Sequence, residues 1–287
     1  YLSKAEQQYI RQKQIVTVAI PQSYHPFYCR DTAYSVHNGL VPDLLKEITA
    51  FCGLQFHYIY VGTYNDALEL VKQGQADIAG FYLGNEAEAA ETGLALTKPY
   101  VAMNDAVVRN KFVSYPAPGL TCALLEGRKL PSTIQAEEVR YYSDVTEALL
   151  AVNRGEVDFA YGLSSRLEQD IQQHYLTNVV PVTLFNDSNE ISFALAKPVA
   201  EPELLTVLNK AIGSLSEAEL NALVNGNMIS IGTQQASLKT LIYANPILAV
   251  SLTALVLLFL IVVVLVIARS RIRAALMRAE LKRLHHE

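Results

Sequence analysis

Short runs rich in β-branched and aromatic residues alternate along this chain with stretches of helical period. "IVTVAI" (15–20) and "QFHYIYV" (55–61) predict strands, and the apolar positions from Asp43 to about Cys52 predict a helix between them. Residues 1–14 are expected to form a separate N-terminal helix. "ALELVKQGQADIAGFY" (67–82) and "ALLAVNRGEVDFAYGL" (148–163) then repeat one unit, a helix, a glycine and a strand, 81 residues apart. Thr63 with Asp66 and Asp144 with Glu147 fit helix N-termini. Gly74 and Gly155 sit where a helix C-terminus takes a left-handed residue. Asp77 and Asp158 open the strands that follow.

A strand–helix series precedes each copy. Before the second come "TCALLEG" (121–127), a short helical stretch and "VRYYS" (139–143). Such alternation predicts parallel sheets with right-handed crossovers, and two series of similar size predict two α/β lobes. "AMNDAVVRNKFVSYP" (102–116) leaves the first lobe, and "LFNDSNEISFALAK" (184–197) returns toward it, giving a two-strand hinge. Ser216 and Glu219 form a capping box, and Asn225-Gly226 is expected to end that helix. The expected organisation is lobe one over 15–110, lobe two over 111–184, and a return to lobe one over 185–228. A connector at 229–241, a membrane helix at 242–268 and a juxtamembrane helix at 269–287 follow.

The last segments change the picture most. No charged residue occurs from Thr240 to Ala268, and "ILAVSLTALVLLFLIVVVLVIA" is long enough to cross roughly 30 Å of hydrocarbon as a helix. Arg269, Arg271 and Arg273 follow it at once, which predicts a cytoplasmic C-terminus and an extracytoplasmic N-terminal domain. No export signal precedes Tyr1, so the numbered chain reads as a mature or truncated form. From Ile247 to Glu287 there is neither Gly nor Pro, so one unbroken helix is expected to leave the bilayer toward a cytoplasmic domain. Ile272, Leu276 and Ala279 hint at a coiled-coil seam there, and a basic helix on the lipid surface is the other reading.

Net charge is −5 over 287 residues, with the segment after Ala268 at +4 and the remainder at −9. An acidic body without a basic stripe argues against nucleic acid as a partner. Cys29, Cys52 and Cys122 are an odd set, with Cys52 expected as a buried free thiol, and no spacing suggests a metal site. No cofactor is implied.

Open α/β sheets bind ligands beyond the carboxyl ends of their strands. That rule brings Phe27, Tyr28, Gly80, Phe81 and Tyr82 to the cleft from lobe one, and Glu126, Arg128 and Tyr161 from lobe two. Lys98, Tyr100 and Asn186 complete the candidate set. His25 and Glu126 are the pair an enzyme reading would need, and the sequence gives no reason for them to meet.

"IVTVAIPQSYHPFY", "NGLVPDLLKEITAFCGLQFHYI", "ALELVKQGQADIAGFYLG", "LTKPYV" and "ALLAVNRGEVDFAYG", in this order, resemble the type II periplasmic solute-binding proteins over residues 14–227. The appended span and "ALMRAELKRL" look like the Venus-flytrap sensor ectodomains of membrane histidine kinases and diguanylate cyclases. The resemblance implies two lobes that close on a small molecule, a cytoplasmic output domain and, for signalling through a single span, a homodimer. Other members of this fold deliver solutes to permeases or act as enzymes, and those are the alternatives. Amino-acid-binding members place an arginine after the first-lobe strand to clamp a carboxylate, where this chain has Asn85, Glu86, Ala87 and Glu88. Their second-lobe acid is replaced by Tyr161, Gly162 and Leu163. A neutral or cationic ligand is therefore expected, held by Phe27, Phe81, Tyr82 and Tyr161; an amino-acid-like ligand would need Arg128 or Lys98 as its cation.

Overall fold

The computed structural model describes residues 1–31, 36–184, 187–229 and 246–285. The chain divides into two compact units, Tyr1–Gly232 and Thr233–Glu287. In the first, α1 (Lys4–Lys13) starts at a capping box in which the Ser3 hydroxyl accepts from the Glu6 amide and the Glu6 carboxylate accepts from the Ser3 amide. The apolar strands β1 (Ile15–Pro21), β5 (Gln55–Val61) and β6 (Ile78–Tyr82) run parallel, with β1 in the middle. The helices α2 (Leu40–Cys52) and α3 (Tyr64–Lys72) bury Leu44, Leu45, Ile48, Leu68 and Val71, and the short α4 (Glu86–Glu91) follows β6. A small antiparallel sheet of β2 (Ser23–Tyr24), β3 (Tyr28–Asp31) and β4 (Val36–Asn38) follows β1.

The same arrangement recurs around β9 (Thr121–Leu125), which lies between β10 (Glu138–Tyr142) and β11 (Phe159–Leu163), again parallel. Successive residues of β9 face opposite ways. Ala123 and Leu125 join the large core with α5 (Val145–Asn153), whereas Cys122 and Leu124 pack with Val107, Phe159 and Tyr161 on the other face. The helix α6 (Ser164–Gln173) packs on α5.

Two long strands carry the sheet from one set to the other. β8 (Val101–Asn110) and β13 (Ser188–Ala196) pair antiparallel from Val101 opposite Ile191 to Asn104 opposite Ser188. Beyond that stretch β8 pairs with β11 and β12 (Val179–Val182), and β13 pairs with β6 and β7 (Leu94–Leu96). The fold is thus α/β and two-lobed, with a two-strand hinge. The chain then forms α7 (Pro202–Ser214) and α8 (Glu217–Ile229).

The internal repeat extends to single atoms. Asp77 Oδ2 accepts the amide and hydroxyl of Thr17 at 2.8 and 3.1 Å, and Asp158 Oδ2 accepts those of Thr121 at 2.8 and 2.9 Å. Gly74 and Gly155 have φ of 73° and 77°, and Thr63 and Asp144 cap their helices.

Several expectations change. Residues 126–137 form turns and not a helix, because Gly127, at φ 90°, and Pro131 break any helical run. α2 begins at Leu40, three residues before Asp43, since the chain turns at Gly39. The capping box of Ser216 and Glu219 is present, but α8 runs through Asn225-Gly226 to Ile229. Asn227 holds that extra turn by donating to Asp43 at 2.9 Å and to the Leu223 carbonyl at 2.8 Å. Cys52 is half-buried, and its thiol points back to the Ile48 carbonyl; Cys122 is the buried cysteine. The connector after Ile229 and the first residues expected in the membrane helix, 242–245, lie outside the described residues.

In the second unit α9 (Pro246–Leu284) is one helix of 39 residues. Its side chains from Leu255 to Ile267 are apolar and, apart from the half-buried Val263, exposed around the helix, a surface suited to lipid. By length and composition α9 is a candidate membrane span.

Candidate functional site

The lobe-one wall is an aromatic stack at the end of β6. Phe27 lies flat on Phe81 with ring centroids 4.3 Å apart, Tyr64 stacks on the same ring at 5.4 Å, and Tyr24 leans against it at 4.9 Å. All four are buried. The turn that brings in Phe27 depends on Gly39, because a side chain there would collide with the Phe27 backbone. Thr63 starts α3 at Tyr64, whose hydroxyl accepts the Leu83 amide at 2.7 Å and fixes the end of the wall.

The hinge strands and lobe two together supply an ionic cluster. Asp105 projects from β8 and accepts both terminal nitrogens of Arg128, at 3.1 and 3.0 Å. Both side chains are nearly inaccessible, at 6% exposure for Arg128 and 1% for Asp105. The Tyr161 hydroxyl lies 2.9 Å from Asp105 and 3.1 Å from Asp187, and the Asn189 side-chain amide also donates to Asp105. The Arg128 guanidinium sits 5.3 Å over the Tyr161 ring. Burial opposes the arginine's charge, but Asp105 more than offsets it and raises the Arg128 pKa.

Arg166, in α6, reaches the other lobe. Its Nη1 donates to the Ser23 carbonyl at 3.1 Å, and its guanidinium lies 4.8 Å over the Tyr24 ring. Burial pushes the Tyr24 phenol up to about 12 against the pull of Arg166 and Arg128. Burial, helped by Arg166, lowers the neighbouring His25 to about 4.

The candidate residues therefore separate into groups. Phe27 and Phe81 belong to the wall, and Arg128 and Tyr161 to the ionic cluster opposite; Tyr82, the next residue of β6, faces the other way, beside Thr92 and Glu88. Tyr28 is buried beside Tyr58 and Tyr60. Tyr100 packs on Phe193 and donates to the Gly80 carbonyl at 2.8 Å, which places both residues behind the wall. Lys98 borders a different space, a cavity of about 840 Å³ with Asn85, Glu86, Asn189, Glu190 and Asn209 on its rim. A second cavity of about 460 Å³ is lined by Asn104, Asp105, Ser164, Glu168 and Asp187. Glu126 is half-buried after β9, and no hydrogen bond joins it to His25 among the described residues. Asn186 lies outside the described residues. No group of His, Cys, Asp or Glu among the described residues is arranged to hold a metal.

Sequence reasoning missed Tyr24, Tyr64, Asp105 and Arg166. Asp105 had a signal, as the acidic residue of the largely apolar β8, and Arg166 had one in its spacing of four from Asp170. Tyr24 and Tyr64 had none.

Residues 16–226 match the family model described as bacterial extracellular solute-binding proteins, family 3. The chain is 28% identical over 234 residues to the virulence sensor protein BvgS of Bordetella bronchiseptica, covering 78% of this chain. It is 27% identical over 236 residues to the sensor protein EvgS of Escherichia coli K12, covering 76% of it. The match spans only 18% of the length of each of those relatives. The crystal structure of the Bordetella pertussis BvgS periplasmic VFT2 domain superposes with a TM-score of 0.64 at 25% identity, covering 79% of this chain and 98% of that one. With most of its length matched in sequence and fold, the chain belongs to the bacterial extracellular solute-binding proteins of family 3.

Proposed function

We propose that the chain is the extracytoplasmic small-molecule-sensing part of a single-span membrane receptor, with lobe one at 15–110 and 185–228 and lobe two at 111–184. Small-molecule binding between the lobes shifts their closure, and the span carries the change to a cytoplasmic output domain, a histidine kinase or diguanylate cyclase. The similarity to two sensor proteins and the apolar α9 followed by arginines support this reading. The receptor acts as a homodimer, in contact with lipid through α9.

The observation that carries the ligand class is the Arg128–Asp105 pair. Both terminal nitrogens of the arginine are spent on a carboxylate of the chain itself, so Arg128 is not free to clamp a ligand carboxylate against the wall of Phe27 and Phe81. A neutral or cationic ligand fits these groups. Thermal unfolding of the full chain in lipid nanodiscs, against amino acids, amines, nucleosides and small sugars, tests this. Stabilisation by amines or neutral compounds is expected. Stabilisation by free amino acids but not by their amides would show a carboxylate clamp and overturn the proposed class.

A further inference from the structure

Arg166 is 6% exposed, yet it belongs to both lobes. Within lobe two its Nε donates to Asp170 at 3.0 Å and its Nη2 to Asp144 at 3.3 Å and to the Thr146 hydroxyl at 3.4 Å. Those partners come from α5, its cap and α6 itself, so they hold the guanidinium in place whatever lobe one does. That leaves Nη1 and one face of the group, and both are used on lobe one, on the Ser23 carbonyl and the Tyr24 ring. Of the contacts that Arg166 makes, separating the lobes would break these two alone.

We infer that Arg166 is an interlobe latch, a side chain preset by lobe two that holds the lobes closed by gripping Ser23 and Tyr24 directly, with no bound molecule needed to join them. The inference rests on the reading of the cleft as the working site and deepens it by naming what a ligand acts against. A charge-assisted hydrogen bond and a cation–π contact exist only in the closed arrangement, so they bias closure by their full differential value. The grip acts at the aromatic wall, since Tyr24 packs on Phe81 and Phe27. A molecule entering between wall and ionic cluster must therefore compete with Arg166 for Tyr24, or act on lobes already biased toward closure.

Among the described residues other contacts also bring the lobes together. Gly127 approaches so near α3 that a Cβ would lie 3.0 Å from Asn65 Oδ1, and Lys129 pairs with Glu91 at 2.9 Å on the surface. The surface pair is exposed and screened and contributes little. Arg166 is buried, and it ties α6 directly to the Ser23 backbone and the Tyr24 ring. Lysine is no substitute, because one ammonium cannot serve Asp170, Asp144 and Ser23 along three fixed directions.

The test is hydrogen–deuterium exchange of the full chain in nanodiscs, for the wild type, Arg166→Lys, Arg166→Ala and the double variant Arg166→Ala/Asp170→Ala. The double variant avoids leaving the buried Asp170 without its partner. All three variants are expected to exchange about tenfold faster in peptides covering 22–27, 80–84 and 126–130. β1 and β9 should keep their protection. Unchanged exchange in the double variant would overturn the latch. So would an equal loss of protection through β1 and β9 in that variant, which would make Arg166 a support of the lobe-two fold. Neither result depends on a ligand, so failure here is separable from an empty ligand screen.

Discussion

Asp105 and Arg128 form a bidentate ion pair that is closed to water, with Asp105 also taking hydrogen bonds from Tyr161 and Asn189. The pair links β8, a strand of the hinge, to the turn after β9, so hinge and lobe two are fastened at one carboxylate.

Asp105→Ala is expected to destabilise the protein by about 3–5 kcal/mol, because it leaves a buried guanidinium without a counter-charge. Asp105→Leu combined with Arg128→Met should recover much of that loss. Urea unfolding followed by tyrosine fluorescence measures both, and a double variant no better than Asp105→Ala would show that shape, not charge, is what the site requires.

Gly127→Ala meets two obstacles, a φ of 90° and the Asn65 oxygen across the cleft. It should cost about 1–2 kcal/mol from the backbone alone. Because the second obstacle exists only while the lobes touch, cleft amides should lose protection before those of the core strands, as hydrogen exchange will report.

His25 gives a pH dependence. Burial, with Arg166 nearby, lowers its pKa from the ordinary 6.5 to about 4, so the packed state prefers the neutral ring. Above 6.5 both states are neutral and its contribution is complete. As pH falls from 6.5 toward 4, the unfolded chain takes up a proton that the packed one refuses, and stability declines. Melting temperatures across this range should show the decline in the wild type and a shallower slope in His25→Gln.

The two strand-opening aspartates should differ on substitution. Asp158→Ala loses its bonds to Thr121, at about 1–3 kcal/mol for hydrogen bonds to a charged group. Asp77→Ala should cost more, since Asp77 also holds Lys13 of α1 at 2.9 Å. Equal melting temperatures for the two variants would show that Lys13 adds nothing.

The parts that were legible in the sequence were those written locally. Thr63, Gly74 and Asp77, with their repeats at Asp144, Gly155 and Asp158, are read from chain neighbours, and so is the charge-free run inside α9. The end of α8 was misread because the force that extends it is tertiary, the bond from Asn227 to Asp43. The walls of the site were half legible. Strand ends place Phe81 and Tyr161, but Arg128 meets Asp105 across 23 residues and Arg166 meets Ser23 across 143, and no local pattern records either meeting.

α9 has one more consequence. At about 1.5 Å per residue its 39 residues make a rod of about 58 Å, nearly twice the hydrocarbon thickness of about 30 Å. After its opening proline no Pro or Gly interrupts it, so it has no built-in joint at which motion could be absorbed. A small tilt or turn imposed at one end is handed on to the basic segment at the other. In the proposed receptor α9 is then a lever as well as an anchor, and a glycine pair inserted near its middle should leave the protein in the membrane while uncoupling its two ends.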